Sequence, residues 1–190
     1  KTSHLPTVAF TRMLAGPIDY TPGVFLRKLK PFGAKRGTRL NNLNTTMGHE
    51  IALYVVINSP IQMIADLPQN INEHPFLEFI QDVGVNWEQT KVLSGEPGDY
   101  GVIDRQERET GNWVVGAITD EEGREVEINM DFLDDGKEYI AKFYMDGDNA
   151  HWKDNPDDFK VDMDEGVTKG HTVKLKLAPG GGAAISLISE

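Results

Sequence analysis

The chain has 190 residues, of which 39% are hydrophobic and 26% are charged, and its formal net charge is −11 at pH 7. This composition is typical of a globular protein with room for one or two domains, and no apolar run is long enough to span a bilayer. The acidic balance argues against general nucleic-acid binding, and the absence of cysteine excludes disulfides and thiolate metal sites.

The charge is distributed unevenly along the chain. Residues 1–65 contain eight Lys or Arg residues and two acids, with a basic cluster between Arg27 and Arg39, whereas residues 66–190 contain eleven basic residues and twenty-eight acids. A basic cluster is more often a solvated loop than an anion site. The asymmetry therefore indicates two regions with different roles.

The first region combines buried apolar runs with helical patterns. Apolar runs predict buried strands, and apolar stripes after a capping residue predict helices. The predicted elements are a strand at Leu5–Leu14, a long loop at 27–44, a helix from Thr45 or Thr46 to about Ile57, a strand at Ile61–Ala65 and a helix at about Asn72–Asp82. This alternation is typical of an α/β barrel or an open parallel sheet.

After Val85 the pattern changes to short β-type runs separated by turn residues such as Glu96-Pro97-Gly98-Asp99. Several runs alternate apolar and polar residues, as in Lys174-Leu175-Lys176-Leu177, and no helix-length pattern intervenes. Eight such strands predict an antiparallel β-sandwich, with a boundary near residues 84–90. The predicted strands are Thr90–Ser94, Tyr100–Gln106, Asn112–Thr119, Glu125–Met130, Tyr139–Met145, Phe159–Met163, Thr172–Leu177 and Ala183–Ile188.

Two βα units cannot close a barrel, and a parallel strand needs helices on both faces of its sheet. Residues 1–85 are therefore expected to pack against a part of the protein that lies outside this chain. The alternative left open by the pattern is a single small α+β domain that needs no partner.

Two residues of the first region are candidates for substrate binding. Asp19 lies in the loop that follows the predicted strand at Leu5–Leu14, and barrel enzymes carry their chemistry on loops of this kind. Its carboxylate binds substrate hydroxyls, holds a catalytic group or makes an Asx turn. His4 lies at the start of the same predicted strand and is a weaker candidate.

Other chemistry-bearing residues have simpler interpretations. His49-Glu50 does not form a zinc-protease motif because position 53 is Leu. The acids that begin at Asp146-Gly147-Asp148 do not match the EF-hand spacing, so a solvated acidic loop is favoured over a calcium site. Trp113 and Trp152 are able to stack on sugars, although a tryptophan within a strand is more often part of a core.

Blocks of sequence along nearly the whole chain resemble glycoside hydrolase family 97. The block at Phe10–Gly23 (FTRMLAGPIDYTPG) resembles the late-barrel signature of that family. Six further blocks follow in the same order, at Ala52–Val56, Ser59–Asp66, Trp87–Leu93, Trp113–Asp120, Asp146–Ala150 and Leu177–Gly182.

The resemblance implies an enzyme with an N-terminal β-sandwich, a (β/α)₈ TIM barrel and a C-terminal antiparallel β domain. Residues 1–85 would supply the last βα units of the barrel, and residues 86–190 the C-terminal β-sandwich. The fold class is then α/β plus all-β.

The resemblance also implies calcium-dependent, exo-acting hydrolysis of α-galactosides or α-glucosides in the periplasm or outside a bacterial cell. Such hydrolysis needs two carboxylates across the scissile bond. No Asp or Glu precedes Phe10, so the catalytic acids and most calcium ligands are expected upstream of Lys1, and no catalytic or metal-binding residue is assigned to this chain. Its expected partners are an oligosaccharide and the upstream part of the same protein.

The stereochemical branch rests on two residues. Inverting members are expected to carry a Glu-His pair before the strand, where this chain has Ser3-His4. That difference favours a retaining α-galactosidase. The alternatives are an inverting α-glucosidase of the same family and a non-catalytic β-sandwich that binds carbohydrate or braces its neighbour.

Overall fold

The computed structural model describes residues 2–26, 28–29 and 41–189. Among these residues, the regular structure of the first region is mainly helical, with one two-stranded antiparallel ladder. The side chains of the predicted basic cluster and most of the predicted loop at 27–44 lie outside the described residues. The elements of this region are α1 (His4–Phe10), a 3₁₀ helix (Arg12–Ala15), β1 (Lys28–Leu29), β2 (Asn41–Asn42), α2 (Met47–Val56), α3 (Pro68–Ile71) and α4 (Phe76–Asp82).

The second region contains the eight strands that the sequence predicts, each within a few residues of its predicted bounds. They are β3 (Trp87–Glu96), β4 (Tyr100–Glu107), β5 (Trp113–Thr119), β6 (Arg124–Asn129), β7 (Tyr139–Asp146), β8 (Phe159–Val167), β9 (Thr172–Leu177) and β10 (Gly182–Ser189). Six strands form one antiparallel sheet in the order β3-β4-β5-β10-β7-β8, and β6 pairs with β9 in a second sheet. The predicted antiparallel β-sandwich is therefore confirmed, with two sheets of unequal size.

The main core lies between the two sheets. In β6 the side chains alternate between exposed and buried positions, with Val126 and Ile128 facing inward, because successive side chains of a strand point to opposite faces. They pack with Leu175 and Leu177 of β9 and with inward-facing residues of β4, β5, β7 and β10. Every residue of this core comes from the second region.

The opposite face of the large sheet is covered by α2, which packs against β5, β10 and β7. The helix approaches so closely that a Cβ atom on Gly116 would lie 2.7 Å from the Cβ of Val55 and 2.9 Å from the carbonyl oxygen of Ala52. Glycine at this position therefore allows the helix to sit directly on the sheet. All ten residues of α2 are buried.

The two remaining core clusters mix residues of both regions. One joins Phe76 and Phe79 of α4 with Val114 and Tyr144 of the sheet. The other joins Leu53 of α2 and its neighbours in α1 with side chains of β4 and β5. The helices of the first region thus complete their cores against the sheet.

The predicted strand at Leu5–Leu14 is wrong, because this segment forms α1 and the 3₁₀ helix. Pro6 lies in the first turn of α1, where its missing N–H has no consequence. The hydroxyl groups of Thr7 and Thr11 donate to carbonyl oxygens four residues earlier, at 2.8 and 2.7 Å. An apolar run of this length has no periodicity that separates a strand from a buried helix.

The predicted buried strand at Ile61–Ala65 is also wrong. Ile61 and Met63 are 65% and 41% exposed. The backbone of the segment is irregular, and the amide of Ala65 donates a hydrogen bond to the carbonyl oxygen of Pro22 at 2.9 Å. The structure therefore does not show the last βα units of a barrel in residues 1–85. The division of the chain at residue 85 stays a prediction.

The first predicted helix is confirmed as α2, and Thr46 caps it by accepting a hydrogen bond from the amide of His49 at 3.1 Å. The second is confirmed in position but begins later, at Phe76, with the short α3 before it. Among the residues described, no helix combines the length and the apolar character that a membrane crossing requires.

Candidate functional site

The loop at residues 16–26, which carries Asp19, has no regular secondary structure and is anchored at both ends. The amide of Ile18 donates to the carbonyl oxygen of Asn58 at 3.0 Å. Gly23 has a φ of +82°, and a Cβ there would lie 2.3 Å from the hydroxyl oxygen of Tyr54. Glycine is required at this position because the left-handed backbone disfavours other residues and the tyrosine occupies the space.

Asp66 fixes the second half of the loop. Its Oδ2 atom accepts hydrogen bonds from the amides of Phe25 and Leu26 at 2.7 and 2.6 Å. Its Oδ1 atom accepts from the amide of Leu67 and from the side chain of Asn70 at 2.7 and 2.6 Å. Burial acts to raise the pKa of Asp66, but these hydrogen bonds outweigh it and lower the pKa.

Glu50 and Tyr54 of α2 contact the loop, and Tyr20 is a residue of the loop itself. The amide of Val24 donates to the Oε2 atom of Glu50, and the hydroxyl of Tyr54 donates to the carbonyl oxygen of Pro22, each at 3.5 Å. The Oε1 atom of Glu50 accepts from the hydroxyl of Thr45 at 2.8 Å, and the hydroxyl of Tyr54 donates to the carbonyl oxygen of Met63 at 3.0 Å. Burial, with a smaller contribution from the charge of Glu50, raises the pKa of Tyr20 to about 12 and the pKa of Tyr54 still further. Both phenols therefore remain protonated at physiological pH.

The two predicted substrate-binding residues lie on the surface. His4 is exposed in the first turn of α1, and Asp19 is exposed in the loop. Within residues 2–26 and 41–189, no hydrogen bond or ion pair joins either side chain to another residue or brings the two together. The geometry leaves both side chains accessible, and their substrate-binding role stays a prediction.

An exposed apolar surface accompanies the loop. Leu14 is 83% exposed, Ile61 65% and Leu67 56%, and the other two members are less exposed. Large apolar side chains on a protein surface are removed from water when a partner covers them. We define the apolar surface as Leu14, Leu26, Ile61, Met63 and Leu67.

The carboxylates of the acidic segment that begins at the end of β7 do not form a cluster. Asp148 is largely exposed and pairs with Lys160 at 3.2 Å, and Asp158 accepts from the amide of Asn149 at 2.9 Å. Asp146 is buried and points inward. In the described part of the chain, no group of three or more His, Asp or Glu residues could hold a metal ion.

Asp146 connects the two regions. Its Oδ1 atom accepts from the hydroxyl of Thr46 at 2.5 Å, and its Oδ2 atom accepts from the amides of Ala178 and Gly182 at 3.0 and 2.9 Å. The amide of Gly48 adds another bond. Burial raises the pKa of Asp146 to about 6, against the opposing effect of these hydrogen bonds.

The two tryptophans noted in the sequence differ in exposure. Trp113 is 1% exposed and packs on Phe132 with ring centroids 5.1 Å apart, so it belongs to the core. Trp152 is partly exposed and stacks with His151 at 5.9 Å. Only Trp152 retains a face that solvent reaches.

Sequence reasoning assigned no role to Asp66, Glu50 or Tyr54, which hold the loop in place. One signal was available for Asp66, since an acid two residues before a proline at a helix start often bonds to the first turn. The contacts of Glu50 and Tyr54 join segments far apart in sequence, and no local pattern reveals them.

Comparisons with known proteins give one consistent family. The model described as "Glycosyl-hydrolase 97 C-terminal, oligomerisation" matches residues 86–188. The chain is 35% identical over 188 residues to a protein of Bacteroides thetaiotaomicron named "Retaining alpha-galactosidase", covering 95% of this chain and 26% of that protein.

Solved structures of a glycoside hydrolase family 97 enzyme from a Pseudoalteromonas species are similar to the whole chain. Two of them, in complex with panose and with acarbose, share 46% sequence identity with a TM-score of 0.91, and the match covers 100% of this chain and 29% of theirs. The chain therefore spans between a quarter and a third of the length of these relatives.

Proposed function

Because the chain belongs to glycoside hydrolase family 97, whose C-terminal domain model it matches, we propose that it acts as the C-terminal part of an exo-acting, calcium-dependent α-glycoside hydrolase. The observation that carries the proposal is the match along the whole chain, at 46% identity, to a solved enzyme of that family. The relative is more than three times as long, so the activity of the whole protein is part of the proposal.

The apolar surface supports a partner in the same protein. In the proposed enzyme, these five side chains pack against the rest of the catalytic barrel, which removes them from water and stabilises the assembly. Asp66, Glu50 and Tyr54 hold the loop at residues 16–26 in a fixed shape, so that the surface is formed before it meets its partner. The carboxylate of Asp19 then borders the substrate, with His4 as a weaker second candidate.

We propose retaining α-galactosidase as the activity. The curated relative from Bacteroides thetaiotaomicron supports this substrate by its name, and the Ser3-His4 pair favours the retaining branch. The second candidate is an inverting α-glucosidase, which is supported by the panose and acarbose complexes of the more similar enzyme.

The groups that perform the reaction are assigned to the longer protein. Two carboxylates must flank the scissile bond, and calcium needs six to eight oxygen ligands. The described residues hold no cluster that fits calcium, so no step of the reaction is assigned to a metal held by this chain. By family resemblance we also propose a periplasmic or secreted location.

A longer protein that contains this chain tests the proposal. We expect it to release p-nitrophenol from p-nitrophenyl α-galactoside faster than from the α-glucoside, and to lose activity when EDTA removes calcium and recover it when calcium is restored. A preference for the α-glucoside would select the second candidate. Absence of hydrolysis of both compounds would contradict the proposal, and full activity in EDTA would contradict its calcium dependence.

The non-catalytic alternative is favoured by one observation, the close packing of α2 against the large sheet. A sandwich that packs in this way on a helix of the neighbouring region is able to stabilise that region. In this alternative the sandwich contributes stability and no chemistry, and truncation of β6 and β9 would lower the melting temperature of the longer protein while kcat at low temperature stays unchanged.

A further inference from the structure

The large sheet has two edge strands, β3 and β8, and they differ in regularity. The pairing of β3 with β4 is interrupted by two register shifts, and irregularities of this kind protect an edge from pairing with another chain. The pairing of β8 with β7 is continuous from Phe159 to Asp164. Among the described residues, β8 has no neighbour on its outer side. It is therefore the edge that another strand is able to join.

One set of backbone groups on β8 points away from the sheet. The amide of Gly147 donates to the carbonyl oxygen of Asp158 at 3.0 Å, so the backbone of Asp158 points towards β7. In an antiparallel pair, the backbone groups of successive residues point alternately towards the partner strand and away from it. The residues with outward groups are therefore Phe159, Val161 and Met163.

The side chains of β8 are exposed on both faces of the strand. All residues at 160–166 are exposed, including Val161 at 45% and Met163 at 53%. Phe159 packs on Phe76 of α4 with ring centroids 4.8 Å apart. Because side chains two residues apart share a face, Val161 and Met163 extend this apolar face towards the edge of the sheet.

The sequence of β8 is complementary to itself in one register. In an antiparallel pair of two copies related by a two-fold axis, centring the pair on Val161 places Lys160 of each copy opposite Asp162 of the other. Val161 then lies opposite its own copy, and Phe159 lies opposite Met163. Opposite charges and apolar pairs of this kind stabilise adjacent strands.

Three nearby registers place like charges opposite each other. A pair centred on Lys160 or on Asp162 sets that residue against its own copy, and a pair centred on Met163 sets Asp162 against Asp164. Like charges directly opposite destabilise a strand pair. The charged residues of β8 therefore favour the pair centred on Val161 over these three.

Two contacts within one copy are exchanged when this pair forms. The amide of Met163 donates to the Oδ1 atom of Asp162 at 2.9 Å, and Lys160 pairs at 3.2 Å with Asp148, whose side chain is 83% exposed. In the pair, the amide of Met163 donates instead to the carbonyl oxygen of Phe159 in the second copy. The carboxylate of Asp162 is then released to pair with Lys160. Surface ion pairs contribute little to stability, so the exchange has a small cost.

We propose that two copies of this chain associate through β8, by antiparallel pairing centred on Val161 that joins their six-stranded sheets into one continuous sheet. Phe159, Val161 and Met163 each exchange backbone hydrogen bonds with the residue opposite. The choice of a second copy as the partner rests on the self-complementary charges, and the matched family model, which is described by the word oligomerisation, supports it. The pairing is independent of the proposed hydrolytic activity.

Sedimentation velocity of the chain between about 1 and about 500 μM tests the association. We expect a reversible monomer–dimer equilibrium with a Kd on the order of 100 μM, because one pair of edge strands is a small protein interface. Val161→Pro removes an outward amide and leaves the hydrogen bonds between β8 and β7 intact. It should weaken the dimer about tenfold or more.

Two charge reversals test the register. Lys160→Asp and Asp162→Lys each place like charges opposite each other, and each alone should weaken the dimer about tenfold. An equimolar mixture of the two variants restores opposite charges at both positions, so a heterodimer should form with a Kd close to that of the unmodified chain. Both side chains are exposed, so these substitutions keep the test valid even where Val161→Pro unfolds the chain.

Two control variants should leave the Kd unchanged. Glu96→Lys, at an exposed position on β3, changes the net charge as much as Asp162→Lys does. Leu14→Ser removes the most exposed member of the apolar surface and tests for association through that surface. Far-UV circular dichroism checks the fold of each variant.

Four results would each overturn the proposal. They are a chain that stays monomeric at the highest concentration, a dimer that Val161→Pro leaves unaltered, a mixture of the two charge variants that associates no more tightly than either alone, and a dimer that Leu14→Ser abolishes. Because the measurement detects association and not hydrolysis, such a result would leave the activity of the longer protein to its own assay.

Discussion

Residues 86–189 and residues 2–85 obtain their cores in different ways. The sandwich encloses a core to which its own strands and the connection between β6 and β7 contribute every residue. The helices before it complete their cores against one face of the large sheet. Of the described residues, the first region exposes six large apolar side chains and the second exposes three. The comparison shows that the sandwich buries its main core with its own residues, whereas the helices of the first region need the large sheet to complete theirs.

The largest expected effect tests whether the shared core joins the two regions. Phe76 of α4 is 1% exposed and packs on Tyr144 of the sheet with ring centroids 5.7 Å apart. Phe76→Ala should lower the free energy of unfolding by about 3–5 kcal/mol. In urea, the unfolding transitions followed by far-UV circular dichroism and by tryptophan fluorescence should then shift together. Separate transitions would mean that the helices unfold independently of the sandwich.

A second substitution acts on the polar connection between the regions. Asp146→Ala leaves the hydroxyl of Thr46 and the amides of Ala178 and Gly182 without their acceptor, and we expect a loss of about 3 kcal/mol at pH 7. Asp148→Asn is the matched control, because its side chain is 83% exposed and its loss should cost less than about 0.5 kcal/mol. Equal effects from the two variants would contradict the role of Asp146.

The raised pKa of Asp146 makes this connection sensitive to pH. Its pKa is about 6 in the folded chain against 3.8 without the fold, so the folded state binds its proton more tightly. The stability from this group is therefore full below about pH 4 and declines as the pH rises to 6. Asp146→Asn cannot ionise, so its stability deficit relative to the wild type should shrink over that range by up to about 3 kcal/mol. A deficit that stays constant from pH 4 to 7 would refute this assignment.

The smallest expected effect concerns the apolar surface. In this chain, Leu14→Ser and Ile61→Ser should each change the free energy of unfolding by less than about 0.5 kcal/mol, because both side chains are already in water. Leu53→Ser is the buried control and should be strongly destabilising. In a longer protein that contains the barrel, the same two surface substitutions should become destabilising. A null effect there would remove the apolar surface from the proposed interface.

The sequence predicted the two regions unequally. All eight strands of the sandwich were predicted, because several of them alternate apolar and polar residues and the turns between them carry glycine, proline and acids. In the first region both helices were found, but the two strands were not observed. Leu5–Leu14 is apolar enough for a buried strand, and its helical conformation is set by its contacts with β4 and α2.

The candidate site was predictable only in outline. The position of Asp19 in an exposed loop followed from its turn-rich surroundings. The residues that shape this loop, Asp66 above all, act through backbone amides forty residues away.

The close packing of Val55 on Gly116 has a practical consequence for the design of truncated fragments of the protein. By sequence α2 belongs to the first region, but by packing it belongs to the sheet. A truncation that begins at residue 86 would remove the helix and expose one face of the four strands that it contacts, β4, β5, β7 and β10. An expression fragment of the sandwich should therefore begin before Thr45, so that it contains both α2 and the strands that α2 covers.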